Sequence, residues 1–379
     1  MLVPKLRFKR EDGTEYSDWE KKKIGDLLSL CHGKDYKHLG KGDIPVMGTG
    51  GIITYVDEAL CDWECVCIGR KGTIDRPYYM DKPFWSVDTL FYSKPKKGNL
   101  PKFQYYLFQN INWHYYNEAS GVPSLSASTI EKIRVIVPCL EEQQKIADFL
   151  STVDEVIAQS EAEVQNLEQQ KKAAMQKIFS QEVRFKREDG TDYPEWTTTS
   201  LKDVCDIIGG GTPSTENSDY WNGDIQWFTP SEIGMTKYVS KSARTISQIG
   251  FEKSSARKLP VGTILLTSRA TLGEMAIATT ECTTNQGFQS LIPQRINGEY
   301  LYYLQPAIKN YCNKKACGST FNEISKVELG KCKIPIPAIE EQQKIANFLS
   351  TYDEAISYAK QELDKWKELK KGLLQQMFV

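Results

Sequence analysis

Two glycine clusters and two arginine-bearing loops are the residues whose types and spacing could do chemistry in this chain. Val46-Met47-Gly48-Thr49-Gly50-Gly51 begins like the phosphate-cradling turn of a dinucleotide site, but its sixth glycine position is Ile53 and no strand-helix-strand rhythm follows. A tight turn is therefore expected. Gly209-Gly210-Gly211-Thr212-Pro213 lacks the ending of a P-loop and reads as a turn with room for a phosphate contact. The three histidines, His32, His38 and His114, have no metal-ligand spacing, and Cys61, Cys65 and Cys67 lack a second pair, so no metal is expected. The ten cysteines read as reduced thiols, several of them buried. No Asn/Asp-Pro-Pro-aromatic sequence for amino-methyl transfer is present, and no motif marks a hydrolytic site among the 49 acids. Catalysis by this chain alone is not expected.

Binding is better supported. Gly69-Arg70-Lys71-Gly72-Thr73 follows a β-prone run, and Thr267-Ser268-Arg269-Ala270 is read as its equivalent, with Arg269 lying 199 residues after Arg70. An arginine on such a loop offers two parallel donors to guanine O6 and N7, while Lys71, Thr73, Thr267 and Ser268 suit phosphates. The alternative is an arginine that caps a strand and pairs with a local carboxylate. Asn285 and Gln286 likewise suit either adenine edges or a hydrogen-bonded turn.

The elements that would position these residues come from a repeat. FKREDGT occurs at residues 8–14 and 185–191, an offset of 177, and EEQQKIA at 141–147 and 340–346, an offset of 199. The second copy carries 22 more residues, placed by the Arg70 and Arg269 spacing upstream of Arg269, in its front half. After each EEQQKIA, steps of four and three repeat. The first seam holds Ile146, Leu150, Val153, Ile157, Val164, Leu167 and Ile178; the second holds Ile345, Leu349, Tyr352, Ile356, Leu363, Trp366 and Met377. Ser160 and Ala359 share a seam position, as do Lys171 and Lys370, lysines expected to be tolerable near open coil ends. Such spacing specifies a narrow helix-helix contact, and a 40-residue helix is about 60 Å long. The two helices are expected to pair antiparallel within the chain; the alternative is that each folds onto its own globular region.

The boundaries read as a lead at 1–19, a mixed region at 20–138, a helix at 139–182, a second lead at 183–196, a second mixed region at 197–337 and a second helix at 338–379. Short β-prone runs between turn signals make each mixed region an α+β domain, giving two homologous mixed α/β domains separated by two long helices, with pseudo-two-fold symmetry. Each mixed region carries a net charge of +3, whereas residues 140–182 carry -5 and 339–379 carry -1. That division suits DNA on the lobes and protein partners on the helices, although three surplus charges are few for phosphate neutralisation. No apolar run approaches the roughly 20 residues of a spanning helix, and the charged start MLVPKLRFKRED is unlike a signal peptide, so a soluble cytoplasmic protein without membrane contact is expected. The LRFKREDG lead matches VRFKREDG after the first helix, which suggests a quasi-cyclic order.

This organisation resembles the specificity subunit of type I restriction-modification enzymes. The resemblance rests on PCLEEQQKIADFLSTVDE and PAIEEQQKIANFLSTYDE, on GTGGI and IGRKGT in the first copy, and on GGGTP, YWNGDIQWF, LPVGTILLTSRATLG and TTNQGF in the second. It implies two target recognition domains, each reading one half of an asymmetric split site in double-stranded DNA. It also implies a non-catalytic chain that binds no cofactor itself. Its partners would be two adenine methyltransferase subunits using S-adenosylmethionine and two motor-nuclease subunits using ATP and Mg2+. The scaffold alternative has two lobes binding proteins or glycans. The resemblance assigns no role to the FKREDGT leads.

Overall fold

The computed structural model describes residues 4–316 and 322–378. Two units make up the chain: one runs to Gln165 and resumes at Tyr358, the other spans Asn166–Ser357. Each therefore contains one lobe, the first part of one long helix and the last part of the other.

In the first unit the lobe contains β1 (Glu20–Lys23), α1 (Ile24–Leu27), β2 (Leu28–His32), β3 (Ile44–Gly48), β4 (Gly51–Val56), β5 (Cys65–Gly69), β6 (Tyr78–Met80), β7 (Trp85–Ser86), β8 (Leu90–Pro95), α2 (Pro101–Gln109), α3 (Ala127–Lys132) and β9 (Arg134–Val137). One sheet has the order β2-β8-β5-β6, a second β4-β3-β7, and β1 pairs with β9 to close the lobe. Strand β5 is buried along its whole length, so its Cys-Val-Cys-Ile-Gly run lacks polar alternation. The helix α4 (Leu140–Phe179) follows; no glycine or proline interrupts it.

The second lobe contains β10 (Thr197–Ser200), α5 (Leu201–Val204), β11 (Cys205–Gly209), β12 (Trp221–Phe228), β13 (Tyr238–Val239), β14 (Arg244–Ile246), α6 (Gln248–Glu252), β15 (Ile264–Leu266), β16 (Met275–Ala278), β17 (Cys282–Thr284), β18 (Gln289–Pro293), α7 (Gly298–Tyr303), α8 (Gln305–Lys315), α9 (Lys326–Gly330) and β19 (Lys333–Ile336); the helix α10 (Ile339–Met377) ends it. The sheet order β11-β18-β15-β16-β13 repeats the first lobe with one strand added, and β14-β12-β17 repeats β4-β3-β7. Both three-stranded sheets contain a parallel pair, β3 with β7 and β12 with β17. The added strand explains much of the length difference. Residues 229–243 stand where the first lobe has the two-residue turn Thr49-Gly50, and they carry β13. The extra residues thus lie upstream of Arg269, as expected.

The long helices pair antiparallel in both units. In the first, Ile146 and Leu150 share a core with Leu374, Met377 and Phe378; in the second, Ile345 and Leu349 share one with Ile178. Every seam position is buried or half-buried, including Trp366 and Tyr352. Removing a fully buried leucine such as Leu150 or Leu349 would cost about 2–5 kcal/mol.

The seam lysines correct the expectation of open coil ends. Lys370 pairs with Asp154 at 2.6 Å and Lys171 with Asp353. Each lysine also lies over a tyrosine of its unit's lobe, Tyr106 or Tyr303, whose hydroxyl donates to the same aspartate. Burial, reinforced by the aspartate, raises both tyrosine hydroxyls above their ordinary range. A charge on the seam is stable here because the facing helix supplies the carboxylate and the lobe supplies the tyrosine that lies under the lysine and bonds the same carboxylate.

The leads also acquire a role. Glu142 is fully buried and accepts from Arg7 Nη2 at 2.8 Å and Trp19 Nε1 at 3.0 Å. Glu341 repeats this with Arg184 and Trp196, both at 3.0 Å. The hydrogen bond to glutamate holds each arginine above its ordinary pKa. Gln143 and Gln342 extend the junction by donating to Pro138 O and Pro337 O. The EEQQ motif therefore locks lead, lobe and helix together.

Candidate nucleic-acid interface

In each lobe several loops converge where strands end. Gly33, after β2, passes so close to β7 that a Cβ would lie 2.0 Å from Val87 O. Gly210, after β11, makes the same approach, with a Cβ position 2.1 Å from Asn285 O. Only glycine permits either passage. Lys34 N then donates to Ser86 O at 2.7 Å, and Gly211 N to Thr284 O at 2.9 Å.

The arginine loop of the first lobe is pinned by its backbone. Arg70 N donates to Thr89 O at 2.7 Å, Leu125 N to Arg70 O at 2.9 Å and Gly72 N to Pro123 O at 2.9 Å. Those bonds leave the side chains outward. Arg70, Lys71 and Thr73 are exposed. The Arg70 guanidinium reaches a backbone carbonyl, Asp88 O, at 3.3 Å. Beside it opens a cleft of about 770 Å³ bordered by Arg70, Lys71, His32, Asp88, Glu118 and Ser126. Guanidinium, ammonium, imidazole and hydroxyl groups provide donors for phosphate oxygens and base edges, and the two carboxylates exclude anions from part of the rim.

The second lobe uses the same backbone scheme with different side chains. Ser268 N donates to Gly287 O at 2.7 Å, and Ile324 N to Ser268 O at 3.2 Å. These bonds correct the sequence equivalence: Ser268 occupies the place of Arg70, and Arg269 that of Lys71. The offset is 198 at this point and returns to 199 by Leu125 and Ile324, because loop lengths drift where no helical period holds register. Thr267 and Ser268 are fully buried, and Thr267 Oγ1 donates to Thr271 O at 2.6 Å. Arg269 is half-buried, with Nε 2.9 Å from Glu323 Oε1 in an ion pair. The next residue, Ala270, has φ +56°, a left-handed conformation that costs a non-glycine residue about 1–2 kcal/mol.

Asn285 Oδ1 accepts from Gly287 N at 2.8 Å, so it makes the turn, while exposed Gln286 accepts from Thr212 Oγ1 at 2.5 Å. The glycine-rich 209–213 segment and the Asn285-Gln286 turn thus meet. Arg244 completes this side of the lobe by stacking 3.7 Å from the Trp221 ring centroid.

Reading the sequence missed Lys34, Asp88 and Glu323, and it named Thr212 only as part of the glycine-rich turn. Gly33 and Gly210 offered a signal, since they lie 177 residues apart, the offset of FKREDGT. Among the described residues no group of three or more His, Cys, Asp or Glu side chains is placed to hold a metal ion, and no helix is long and apolar enough to cross a membrane.

Two lobes with a shared loop scheme and different side chains, each joined to long paired helices, define a duplicated recognition subunit. The family described as type I restriction modification DNA specificity domain matches residues 16–169 and 193–367, and the chain belongs to it. The family's description makes DNA specificity in type I restriction modification the role of its domains. The MjaIX specificity subunit of Methanocaldococcus jannaschii is 39% identical over 207 residues, covering 53% of this chain and 48% of the relative. The MjaVIII specificity subunit of the same organism is 23% identical, covering 94% of this chain and 91% of the relative. A crystal structure of the S subunit of a type I system from M. genitalium shares the fold, with a TM-score of 0.65 at 16% identity, covering 100% of this chain and 99% of the other.

Proposed function

We propose that residues 20–138 and 197–337 are two target recognition domains that read different halves of an asymmetric bipartite DNA site, and that the helices at 139–182 and 338–379 assemble the modifying enzyme. The observation that carries this reading is one loop scheme with two side-chain sets. Arg70 and Lys71 border the cleft of the first lobe and Thr73 is exposed on the same loop, whereas Arg269, Gln286 and Thr212 belong to the loops of the second. Different donors on equivalent loops read different bases. Arg70 and Arg269 contact bases, Lys71 a phosphate. Thr267, Ser268 and Asn285 contribute by shaping the loop, because their polar groups turn inward or into the turn.

In this reading two adenine methyltransferase subunits bring S-adenosylmethionine. Two motor-nuclease subunits bring ATP and Mg2+, and the complex acts on DNA in the cytoplasm. The test is to map methylated adenines after reconstitution with the methyltransferase subunit. Wild type should define a split, asymmetric site; R70A should relax one half and R269A the other. Unchanged specificity in both folded variants would remove the two arginines from base reading, and methylation independent of this chain would overturn the reading.

A further inference from the structure

The second lobe holds Arg269 in an ion pair but leaves Arg244 without one. Arg244 is exposed on β14, and among the described residues its guanidinium makes neither a hydrogen bond nor an ion pair. Its support is aromatic. The guanidinium carbon lies over Trp221, 3.7 Å from the ring centroid, and 5.9 Å from that of Trp227. A distance of 3.7 Å is a stacking separation. The two indoles meet edge-on at 5.0 Å and are only 8% and 4% exposed, so burial fixes the platform on which Arg244 rests.

The platform is tied to the loops of the candidate interface. Trp227 Nε1 donates to Gly211 O at 2.9 Å and Trp221 Nε1 to Ser214 O at 3.0 Å, so the indoles hold both ends of residues 211–214. Thr212 lies between those ends and bonds Gln286 of the neighbouring turn. The backbone beneath Arg244 is pinned as well: Ser242 Oγ donates to Arg244 O at 2.6 Å and accepts from Trp227 N at 2.9 Å. Arg244 therefore stands beside Thr212 and Gln286 on a rigid base. With its flat face on Trp221, its N–H donors remain in the plane of the guanidinium as a fixed fork. Such a fork matches guanine O6 and N7, whereas a phosphate needs only the charge.

The first lobe has no such group at the matching place. The bonds from Lys34 N to Ser86 O and from Gly211 N to Thr284 O make Ser86 and Thr284 equivalent. Ser86 pairs with Met47 and Thr284 with Phe228, which makes Val46 the counterpart of Trp227. Across the antiparallel ladders their partners are Thr54 and Arg244. A half-buried threonine stands where the second lobe presents a guanidinium.

We infer that Arg244 is a base-reading residue of the second lobe, presenting its stacked guanidinium to a guanine edge beside Thr212 and Gln286. The inference rests on the proposed function and adds a reader that the paired loops of Arg70 and Arg269 do not supply.

The test uses the full chain reconstituted with the methyltransferase subunit and scores methylation of a duplex pool randomised over both half-sites. Wild type should prefer guanine at one position of the half-site that R70A leaves intact. R244A should lower that preference by about 5- to 150-fold and leave the other half-site unchanged. R244K separates reading from charge: it should lose the same preference yet keep the salt dependence of duplex binding, because lysine retains the charge without the fork. Wild-type base selection by folded R244A or by R244K would overturn the inference and leave the functional reading standing. So would a loss in R244K spread evenly over every position of that half-site, the mark of a disturbed loop. Methylation independent of this chain would overturn both.

Discussion

The first lobe leaves Arg70 exposed against a backbone carbonyl, while the second holds Arg269 beside Glu323 and places a strained Ala270 next to it. The second lobe also carries an element that the first lacks. Lys237, at the start of the added β13 segment, donates to Tyr303 OH at 2.8 Å and Ser350 Oγ at 2.9 Å, and pairs with Glu299. Tyr303 and Ser350 correspond to Tyr106 and Ser151; in the first unit these two hydroxyls bond each other and Tyr106 donates to Asp154, with no counterpart of Lys237 on them among the described residues. The inserted strand thus fastens its own recognition lobe to α10. Equivalent backbones can therefore differ both in what they offer DNA and in how firmly they are held.

The features common to both units should show the largest effect. E142A in the first unit and E341A in the second each strand a half-buried arginine and an indole, and each should destabilise its own unit by about 3 kcal/mol, read by segment-resolved hydrogen exchange. Unequal losses would break the equivalence of the junctions. K237A should weaken only the second unit, by about 1.5–3 kcal/mol for charge-assisted bonds, seen as faster exchange in 229–243 with the first lobe unchanged. An unperturbed second lobe would remove Lys237 as a fastening.

For recognition, R70A should cost about 1–3 kcal/mol of discrimination at one half-site. R269A should cost less, because the wild-type arginine must first leave Glu323. E323Q should therefore strengthen binding at the second half-site, measured by titration of labelled duplex; weaker binding would mean that Glu323 positions Arg269 productively. The smallest effect is A270G, which relieves the left-handed strain and should stabilise the second unit by about 0.5–1 kcal/mol, offset by greater freedom of the unfolded chain. Thermal unfolding at unchanged DNA discrimination is the expected result.

The repeat, the two helices, their seam and the position of the insertion were legible because they rest on local properties. A four-three spacing of apolar residues specifies a helix face regardless of what lies elsewhere, and Ile146, Leu150, Ile345 and Leu349 are fully buried where that spacing puts them. The strand-bearing lobes were legible from β-prone runs and turns for the same reason. The arginine loops were visible as motifs, but their register was not: Arg269 falls in the place of Lys71 because the backbone bonds of Ser268, donating to Gly287 O and accepting from Ile324 N, decide it rather than a residue offset.

The remaining features depend on partners far apart in the chain. Glu142 meets Arg7 across 135 positions, Lys171 meets Asp353 across 182, and Thr212 meets Gln286 across 74. No periodicity encodes such pairs; burial and charge select them only when the chain has folded. The sequence by itself determined that there are two lobes and two paired helices, since periodic burial is a local demand. Tertiary structure alone decided which carboxylates hold the leads, which lysine fastens a lobe, and which arginine pairs with a carboxylate, since each is a choice of partner made in space.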